Sequence, residues 1–150
     1  MHHCVSRIVF YRQLCHAAAD FGLRLFLLGG KPHAAGIAAA EIAAQYPQIE
    51  IPGLMSTDAS ALANPSERDR IVDAVVRAEP DILISGLGSF GDRWLAENRR
   101  LLGVPVSVDV GSALDFDSRS GYAGGDLKVL FPYLLRTLSS HSHGSWRQAA

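Results

Sequence analysis

The chain has few of the residue types that mark disulfide-rich and nucleic-acid-binding proteins. Its 150 residues include only two cysteines, and 14 basic side chains are balanced by 15 acidic ones. Because these charges are spread along the whole sequence, no basic stripe indicates a nucleic-acid partner. We expect Cys4 and Cys15 to be free thiols, since a reducing compartment and so low a count argue against a disulfide bridge.

Long hydrophobic runs are also missing. Apolar stretches such as Leu23–Leu28 are far shorter than the roughly 20 residues that a membrane-spanning helix requires. The first residues, MHHCVSR, lack the hydrophobic region of a signal peptide, which favours a cytoplasmic location. With 48% hydrophobic residues the chain is still long enough for one globular core. We therefore expect a single domain over residues 1–138 and a disordered polar tail over 139–150.

The sequence does contain an alternation of strand-like and helix-like segments. The strand-like runs are Leu23–Leu28, Ile49–Leu54, Ile82–Ser85 and Val104–Val110. Helical patterns precede or separate them at 4–21, 32–45, 64–78 and 92–102, and a last helix is expected at Leu127–Leu138. This order predicts an α/β fold with a Rossmann-like open parallel sheet of about four strands and flanking helices.

Two glycine turns follow predicted strands. Gly29, Gly30, Lys31 and Pro32 come after the first strand, and the sequence GLGS at 86–89 comes after the third. Because parallel strands end at the same edge of a sheet, both turns should lie where backbone N–H groups can bind a phosphate. Lys31 is either a phosphate-binding charge or an ordinary solvated lysine.

The second turn also contains the pattern G-x-G-x-x-G. It is formed by Gly86, Gly88 and Gly91, and Asp109 follows at the end of the next predicted strand. This arrangement is typical of a dinucleotide site, in which the acid binds a ribose hydroxyl. The pattern normally occupies the first βα turn, however, and here two units precede it. NAD binding is therefore one alternative, and a tight turn without a ligand is another.

Carboxylates and histidines give no clear metal site. Asp109, Asp115 and Asp117 lie around a glycine and could act as acid and base or hold a divalent ion. They could equally cap the backbone N–H groups of a polar loop. His141 and His143 supply only two potential ligands in a serine-rich segment. We therefore expect no bound metal.

Four segments of the chain resemble the WecG/TagA/CpsF glycosyltransferases. They are LRLFLLGGKP at 23–32, PDILISGLGS at 80–89, RWLAENRRLLGVPV at 93–106 and VGSALDF at 110–116, in the family's order and at about its spacing. The resemblance implies transfer of a hexose, often N-acetylmannosamine or its uronic acid, from a UDP-sugar to a lipid-linked saccharide, without a cofactor. In the family this occurs at the inner face of the bacterial membrane, so peripheral membrane association is compatible with the resemblance, as is a homo-oligomer.

Carried over by position, the resemblance predicts the residues of a UDP-sugar pocket. They are Gly29, Gly30, Lys31, Pro32, Gly86, Gly88, Ser89, Asp92, Trp94, Asn98, Gly111 and Asp115. One segment departs from the family, which usually reads GLGSPKQEKW where this chain reads GLGSFGDRW, so Gly91 stands where the family has a polar side chain. In the family, the proposed catalytic base lies in a part of the sequence that precedes the helix corresponding to residues 4–21. The resemblance therefore names no catalytic residue in this chain. A non-catalytic nucleotide-binding module is the alternative function.

Overall fold

The computed structural model describes residues 7–29, 31–58 and 60–115. Its elements are α1 (Arg7–Phe21), β1 (Arg24–Gly29), α2 (Ala34–Gln45), β2 (Glu50–Ser56), α3 (Pro65–Ala78), β3 (Ile82–Ser85), α4 (Ser89–Leu102) and β4 (Val106–Asp109). Short 3₁₀ helices lie at Ala61–Ala63 and Gly111–Asp115. The predicted α/β class is confirmed, while the helix expected at Leu127–Leu138 and the tail expected at 139–150 lie outside the described residues.

The described strands form one parallel sheet in the order β2-β1-β3-β4, which confirms the predicted open sheet. Their carboxyl ends are nearly level, because Leu28 is the partner of Ser85, and Ser85 is the partner of Asp109. The chain leaves β1 to form β2 on one side and returns to form β3 on the other. The strand order therefore reverses between β1 and β3, and ligands of open α/β sheets bind at such a point.

Helices cover both faces of the central strands. On β1, Leu25 and Leu27 pack into a core shared with α1 and α2, whereas Phe26 and Leu28 pack into a core shared with α3 and α4. This division follows from the alternation of side chains along a strand. Because both faces are filled with apolar side chains, the loops at the carboxyl ends of the strands are the natural place for polar chemistry.

Two helices begin at other residues than the sequence predicts. Helix α2 starts at Ala34 and not at Pro32, because His33 has a φ of 64° and such a left-handed residue cannot belong to a right-handed helix. Helix α4 starts at Ser89, three residues before the predicted Asp92. The second glycine turn is consequently shorter than expected, and α4 follows it directly.

Strand β2 tolerates a proline because it is the edge strand of the described sheet. Pro52 lacks an N–H group, which an edge strand need not pair on its outer side. One extra residue is accommodated on β2 between the pairs Arg24–Glu50 and Phe26–Gly53. This irregularity is a β-bulge, and beyond it β2 extends two residues further than predicted.

Helix α3 starts as the sequence predicts. The side chain of Asn64 accepts a hydrogen bond from the N–H of Ser66 at 2.9 Å, and Pro65 occupies the first turn. In the same turn Glu67 accepts a hydrogen bond from Arg70, and this bond holds the pKa of the Glu67 carboxyl below its usual value. The acid also complements the positive end of the helix dipole.

The thiol of Cys15 lies inside the core on α1. It is 3% exposed and free, as expected, while Cys4 lies outside the described residues. Burial raises the pKa of the Cys15 thiol to about 12, so the thiol is protonated and unreactive at neutral pH. None of the helices in the described part of the chain has the length and hydrophobicity to span a membrane.

Candidate functional site

The loops at the carboxyl edge of the sheet, meaning the segments that follow the four strands, are tied to one another through the backbone. Three N–H groups donate to carbonyl groups of a neighbouring strand: Gly86 to Leu28 at 2.8 Å, Thr57 to Gly29 at 2.9 Å and Val110 to Ser85 at 2.8 Å. These bonds continue the ladder of the sheet just past the strand ends. Both predicted glycine turns therefore leave the sheet side by side.

The turn after β3 is held by a carboxylate from β4. One oxygen of Asp109, Oδ2, accepts hydrogen bonds from the Ser85 hydroxyl at 2.6 Å and from the Leu87 N–H at 2.9 Å. The other oxygen, Oδ1, accepts from the Gly111 N–H at 2.8 Å. We refer to Ser85, Leu87, Asp109 and Gly111 as the Asp109 network. It fixes the backbone on both sides of the strand ends without using a ligand.

The Asp109 network argues against the dinucleotide interpretation. That interpretation needs the Asp109 carboxylate to accept hydrogen bonds from a ribose, and a carboxylate has about four acceptor positions. Three bonds from the chain itself already occupy this group. The spacing between the glycine pattern and Asp109 therefore has a structural explanation that does not involve NAD.

The second glycine turn is open to solvent-accessible space at Gly88. Its φ of 74° and ψ of −153° define a backbone conformation that essentially only glycine adopts, and nothing described lies within 4 Å of the position that a Cβ would take. Helix α4 begins at the next residue, and its first backbone bond runs from the Gly91 N–H to the Gly88 carbonyl at 2.8 Å. The amides of Ser89 and Phe90 precede that bond, so they can donate to an anion.

The first turn is packed more tightly. A Cβ on Gly29 would lie 2.8 Å from the backbone nitrogen of Ala35, so this glycine allows α2 to approach the end of β1. Lys31 and Pro32 are exposed, and the Lys31 carbonyl accepts the Ala34 N–H at 3.2 Å. Gly30 lies outside the described residues. The predicted contact of this turn with a nucleotide stays a prediction.

An apolar groove of about 570 Å³ lies beside the first turn, between α2 and β2. Its lining consists of Pro32, His33, Gly36, Ile37, Ala40, Leu54 and Ser56. Ile37 and Leu54 are 59% and 45% exposed and both lie in this groove. Among the predicted UDP-sugar pocket residues that the structure describes, only Pro32 lines the groove, and the lining does not include Gly88.

The predicted pocket residues on α4 divide into two groups. Ser89 and Asp92 are exposed in the first turn of the helix. Trp94 and Asn98 are 4% and 8% exposed, and the Asn98 side-chain amide donates to the Trp94 carbonyl at 2.8 Å. Trp94 packs in the core shared with α3, so these two residues stabilise the helix whether or not they also contact a ligand.

The glycines that follow β3 and β4 approach one another closely. A Cβ on Gly86 would lie 2.9 Å from a side-chain carbon of Leu114 in the 3₁₀ helix. Gly111 has a φ of 55°, and Asp115 ends the same 3₁₀ helix. The structure thus brings Gly86, Gly88, Ser89 and Gly111 to one place, next to the Asp109 network.

Comparison with known protein families gives the reaction class. The model of the glycosyl transferase WecG/TagA/CpsF family matches residues 2–120, which include both glycine turns, α4 and the Asp109 network. The chain belongs to this family. The suspected resemblance is thereby confirmed, and the chain is a member of a glycosyltransferase family of polysaccharide biosynthesis. A search of curated proteins found no match.

Gly91 on α4 leaves room for the side chain of Asp109. A Cβ on Gly91 would collide with Oδ2 of Asp109 and lie 2.8 Å from the Cβ of Leu87. A larger side chain at position 91 does not fit beside the Asp109 carboxylate in this arrangement. The glycine on α4 and the acid on β4 are therefore complementary, and the carboxylate fills the space that the helix leaves.

Sequence reasoning missed Arg7, the first described residue of α1. Its Nη1 atom lies 2.6 Å from the position that a Cβ on Gly111 would take, and the Cα of Gly88 lies 3.8 Å from the same position. The guanidinium group is therefore at the carboxyl edge, close to the start of α4. No local signal in the sequence points to this position, because Arg7 reaches it through the packing of α1 against a segment far along the chain.

Metal chemistry has no obvious location at this edge. Within residues 7–29, 31–58 and 60–115, no group of three or more histidine, cysteine, aspartate or glutamate side chains could hold a metal ion. The charged and polar groups near Gly88 are instead backbone amides, the Arg7 guanidinium group, the hydrogen-bonded carboxylate of Asp109 and the exposed carboxylate of Asp92 in the first turn of α4. This combination suits an anionic ligand better than a cation.

Proposed function

We propose that this chain binds a UDP-sugar at the carboxyl edge, with the diphosphate at the start of α4, and takes part in hexose transfer to a lipid-linked saccharide. The observation that carries the proposal is the open turn at Gly88, where α4 begins at the point of strand-order reversal. Family membership supports the reaction class, glycosyl transfer. The sugar that we propose is of the N-acetylmannosamine type, used in bacterial polysaccharide assembly.

The turn suits the charge that develops during transfer. The acceptor hydroxyl oxygen forms a bond to the anomeric carbon while the bond from that carbon to the diphosphate oxygen breaks, and UDP leaves with the electron pair. Backbone amides of Ser89 and Phe90, together with the positive end of the α4 dipole, would stabilise this negative charge. Such donors are most effective when they are fixed before the reaction. The Asp109 network fixes them here.

The acceptor must also lose a proton, and the described residues do not supply an evident base. Asp109 is engaged by three hydrogen bonds, and Asp92 is exposed in the first turn of α4. This observation favours a second candidate function, in which the chain binds the nucleotide without catalysing transfer. Peripheral association with the membrane and formation of a homo-oligomer stay predictions under either function.

Calorimetric titration separates the candidate ligands. The purified protein is titrated with UDP, with UDP-N-acetylhexosamines and with NAD under the same buffer conditions. We expect binding of UDP and of its sugars and no heat from NAD. Binding of NAD alone would overturn both nucleotide-sugar functions.

Transfer needs a separate assay. Protein is incubated with a radiolabelled UDP-N-acetylhexosamine and a lipid-diphosphate saccharide, and the label is followed into the lipid fraction. Incorporation of label supports the transferase. Binding of UDP-sugar without incorporation, across a panel of hexoses, supports the non-catalytic function instead.

A further inference from the structure

Arg7 lies close to two glycines of the proposed donor site. The Nη1 atom of Arg7 and the Cα of Gly88 both lie within 4 Å of the point where a Cβ on Gly111 would be. Helix α1 reaches this place because it packs against the 3₁₀ helix that starts at Gly111. A guanidinium group thus lies near the backbone of both Gly111 and Gly88.

The side chain of Arg7 has no charged partner within the part of the chain that the structure describes. Arg24, Arg70 and Arg93 each have a carboxylate oxygen within 3.1 Å, from Glu50, Glu67 and Glu97 respectively. The described residues offer Arg7 neither a side-chain hydrogen bond nor an ion pair, and the same holds for Arg99 and Arg100 near the end of α4. What distinguishes Arg7 from these arginines is its position beside Gly111 and Gly88.

Gly111 brings the backbone close to the guanidinium group. A Cβ at this position would lie 2.6 Å from Nη1, the end of a flexible side chain, and the φ of 55° is one that favours glycine. The N–H of Gly111 is meanwhile bound to Asp109, which keeps the backbone in place. Position 111 thus leaves room for Arg7 beside the turn at Gly88.

We propose that Arg7 is a phosphate-binding residue of the donor site, with its guanidinium group binding the diphosphate opposite the first amides of α4. The inference rests on the proposed function and adds a residue that the family resemblance did not supply. Guanidinium groups bind phosphate oxygens through paired, charge-assisted hydrogen bonds. A cation on one side and backbone amides on the other enclose the diphosphate.

The test compares four proteins in calorimetric titrations with UDP at low and at high salt. They are the unsubstituted protein, Arg7→Ala, Arg7→Lys and the control Arg100→Ala. Arg100 is exposed near the end of α4, so its removal deletes the same charge at the opposite edge of the sheet. Thermal unfolding of each variant checks the fold, which we expect to be unchanged because Arg7 is exposed.

We expect UDP affinity to fall on substitution of Arg7 and not on substitution of Arg100. Arg7→Ala should weaken UDP binding by about 10- to 100-fold at low salt, as for loss of a charged hydrogen-bond donor. Its affinity should depend less on salt than that of the unsubstituted protein, because a screened contact has been removed. Arg7→Lys should lose less affinity than Arg7→Ala, and Arg100→Ala should bind UDP as the unsubstituted protein does.

Different failures have different meanings. If the unsubstituted protein binds UDP and Arg7→Ala binds it equally well, the inference about Arg7 is overturned while the proposed function stands. An equal loss in Arg7→Ala and Arg100→Ala would also overturn it, since only net charge would then matter. If the unsubstituted protein does not bind UDP at all, the proposed function fails and the inference fails with it.

Discussion

The two glycine turns lie side by side at the carboxyl edge, yet they are built for different purposes. A Cβ on Gly29 would lie 2.8 Å from the backbone nitrogen of Ala35, so the glycine of the first turn lets a helix pack closely on a strand. Gly88 faces open space and is followed at once by α4. A pair of glycines after a strand is therefore not in itself a phosphate site. What surrounds the glycine decides its function.

The two turns also differ in how they are held. After the first turn, α2 starts only beyond a left-handed His33. The second turn is fixed by the Asp109 network, so the amides at the start of α4 have a defined position. A rigid turn suits the binding of a diphosphate because no ordering is needed when the ligand arrives.

The largest expected effect is that of Asp109→Ala, which removes the support of the second turn. The N–H groups of Leu87 and Gly111 and the hydroxyl of Ser85 would lose their acceptor. We expect the free energy of unfolding to fall by about 3 kcal/mol, and UDP affinity to fall with it. Urea unfolding gives the first value and calorimetry the second. As a control, Asp92→Ala should cost only about 0.5 kcal/mol through the helix dipole, and an equal cost for both variants would contradict the role of the network.

A second prediction concerns the fit between Gly91 and Asp109. Gly91→Ala should lower the free energy of unfolding by about 2 kcal/mol, because its Cβ would collide with the carboxylate. In the Asp109→Ala background the same substitution should cost clearly less, because only the 2.8 Å approach to the Cβ of Leu87 remains and alanine favours a helix by up to about 1 kcal/mol. Gly36→Ala, on α2 with open space around its Cβ, is the matched control and should stabilise. Additive effects of the two substitutions would contradict the predicted contact.

Substitution of one glycine in each turn tests the comparison directly. Gly88→Ala should cost about 1–2 kcal/mol in backbone strain but lower UDP affinity by at least about tenfold, since the turn carries the ligand. Gly29→Ala should show the opposite balance, with a loss of stability from its collision with α2 and little direct effect on binding. Thermal unfolding and calorimetry are measured on both variants. If both lose stability and affinity in the same proportion, the two turns are not functionally different.

The smallest expected effect is a pH dependence of stability caused by Cys15 on α1. Because Cys15 lies away from both glycine turns, this effect should not involve UDP binding. Burial raises the pKa of the Cys15 thiol from 9.0 to about 12, so the folded state keeps a proton that the unfolded state releases above pH 9. Stability is therefore complete below pH 9 and should fall by about 1 kcal/mol between pH 9 and pH 10. Urea unfolding at several pH values measures this slope. Cys15→Ala should have a shallower slope, and an unchanged slope would assign the effect to another group.

The sequence was most informative where structure is set by local patterns. The periodicity of apolar residues located β3 at Ile82–Ser85, and the signal at Asn64 located the start of α3. The starts of α2 and α4 were misplaced because they depend on the backbone angles of His33 and Gly88. Side-chain periodicity carries no information on such angles.

Other features of the site depend on contacts between residues far apart in the sequence, and the sequence alone does not show them. The spacing of Asp109 from the glycine pattern fits a ribose-binding acid, and only the geometry shows that its oxygens bind the chain itself. Arg7 reaches the site through the packing of α1 against a segment far along the chain. Trp94 and Asn98 carry the family pattern, but their burial becomes visible only in the folded helix.

The most direct test of the donor site is a UDP titration followed by amide resonances of the ¹⁵N-labelled protein. If the diphosphate lies at the start of α4, the largest shift changes should occur at the amides of Gly88, Ser89, Phe90 and Gly111. The amides beside the α2–β2 groove should change little. Absence of shift changes at saturating UDP, or changes confined to that groove, would contradict the assignment of the second glycine turn as the donor site.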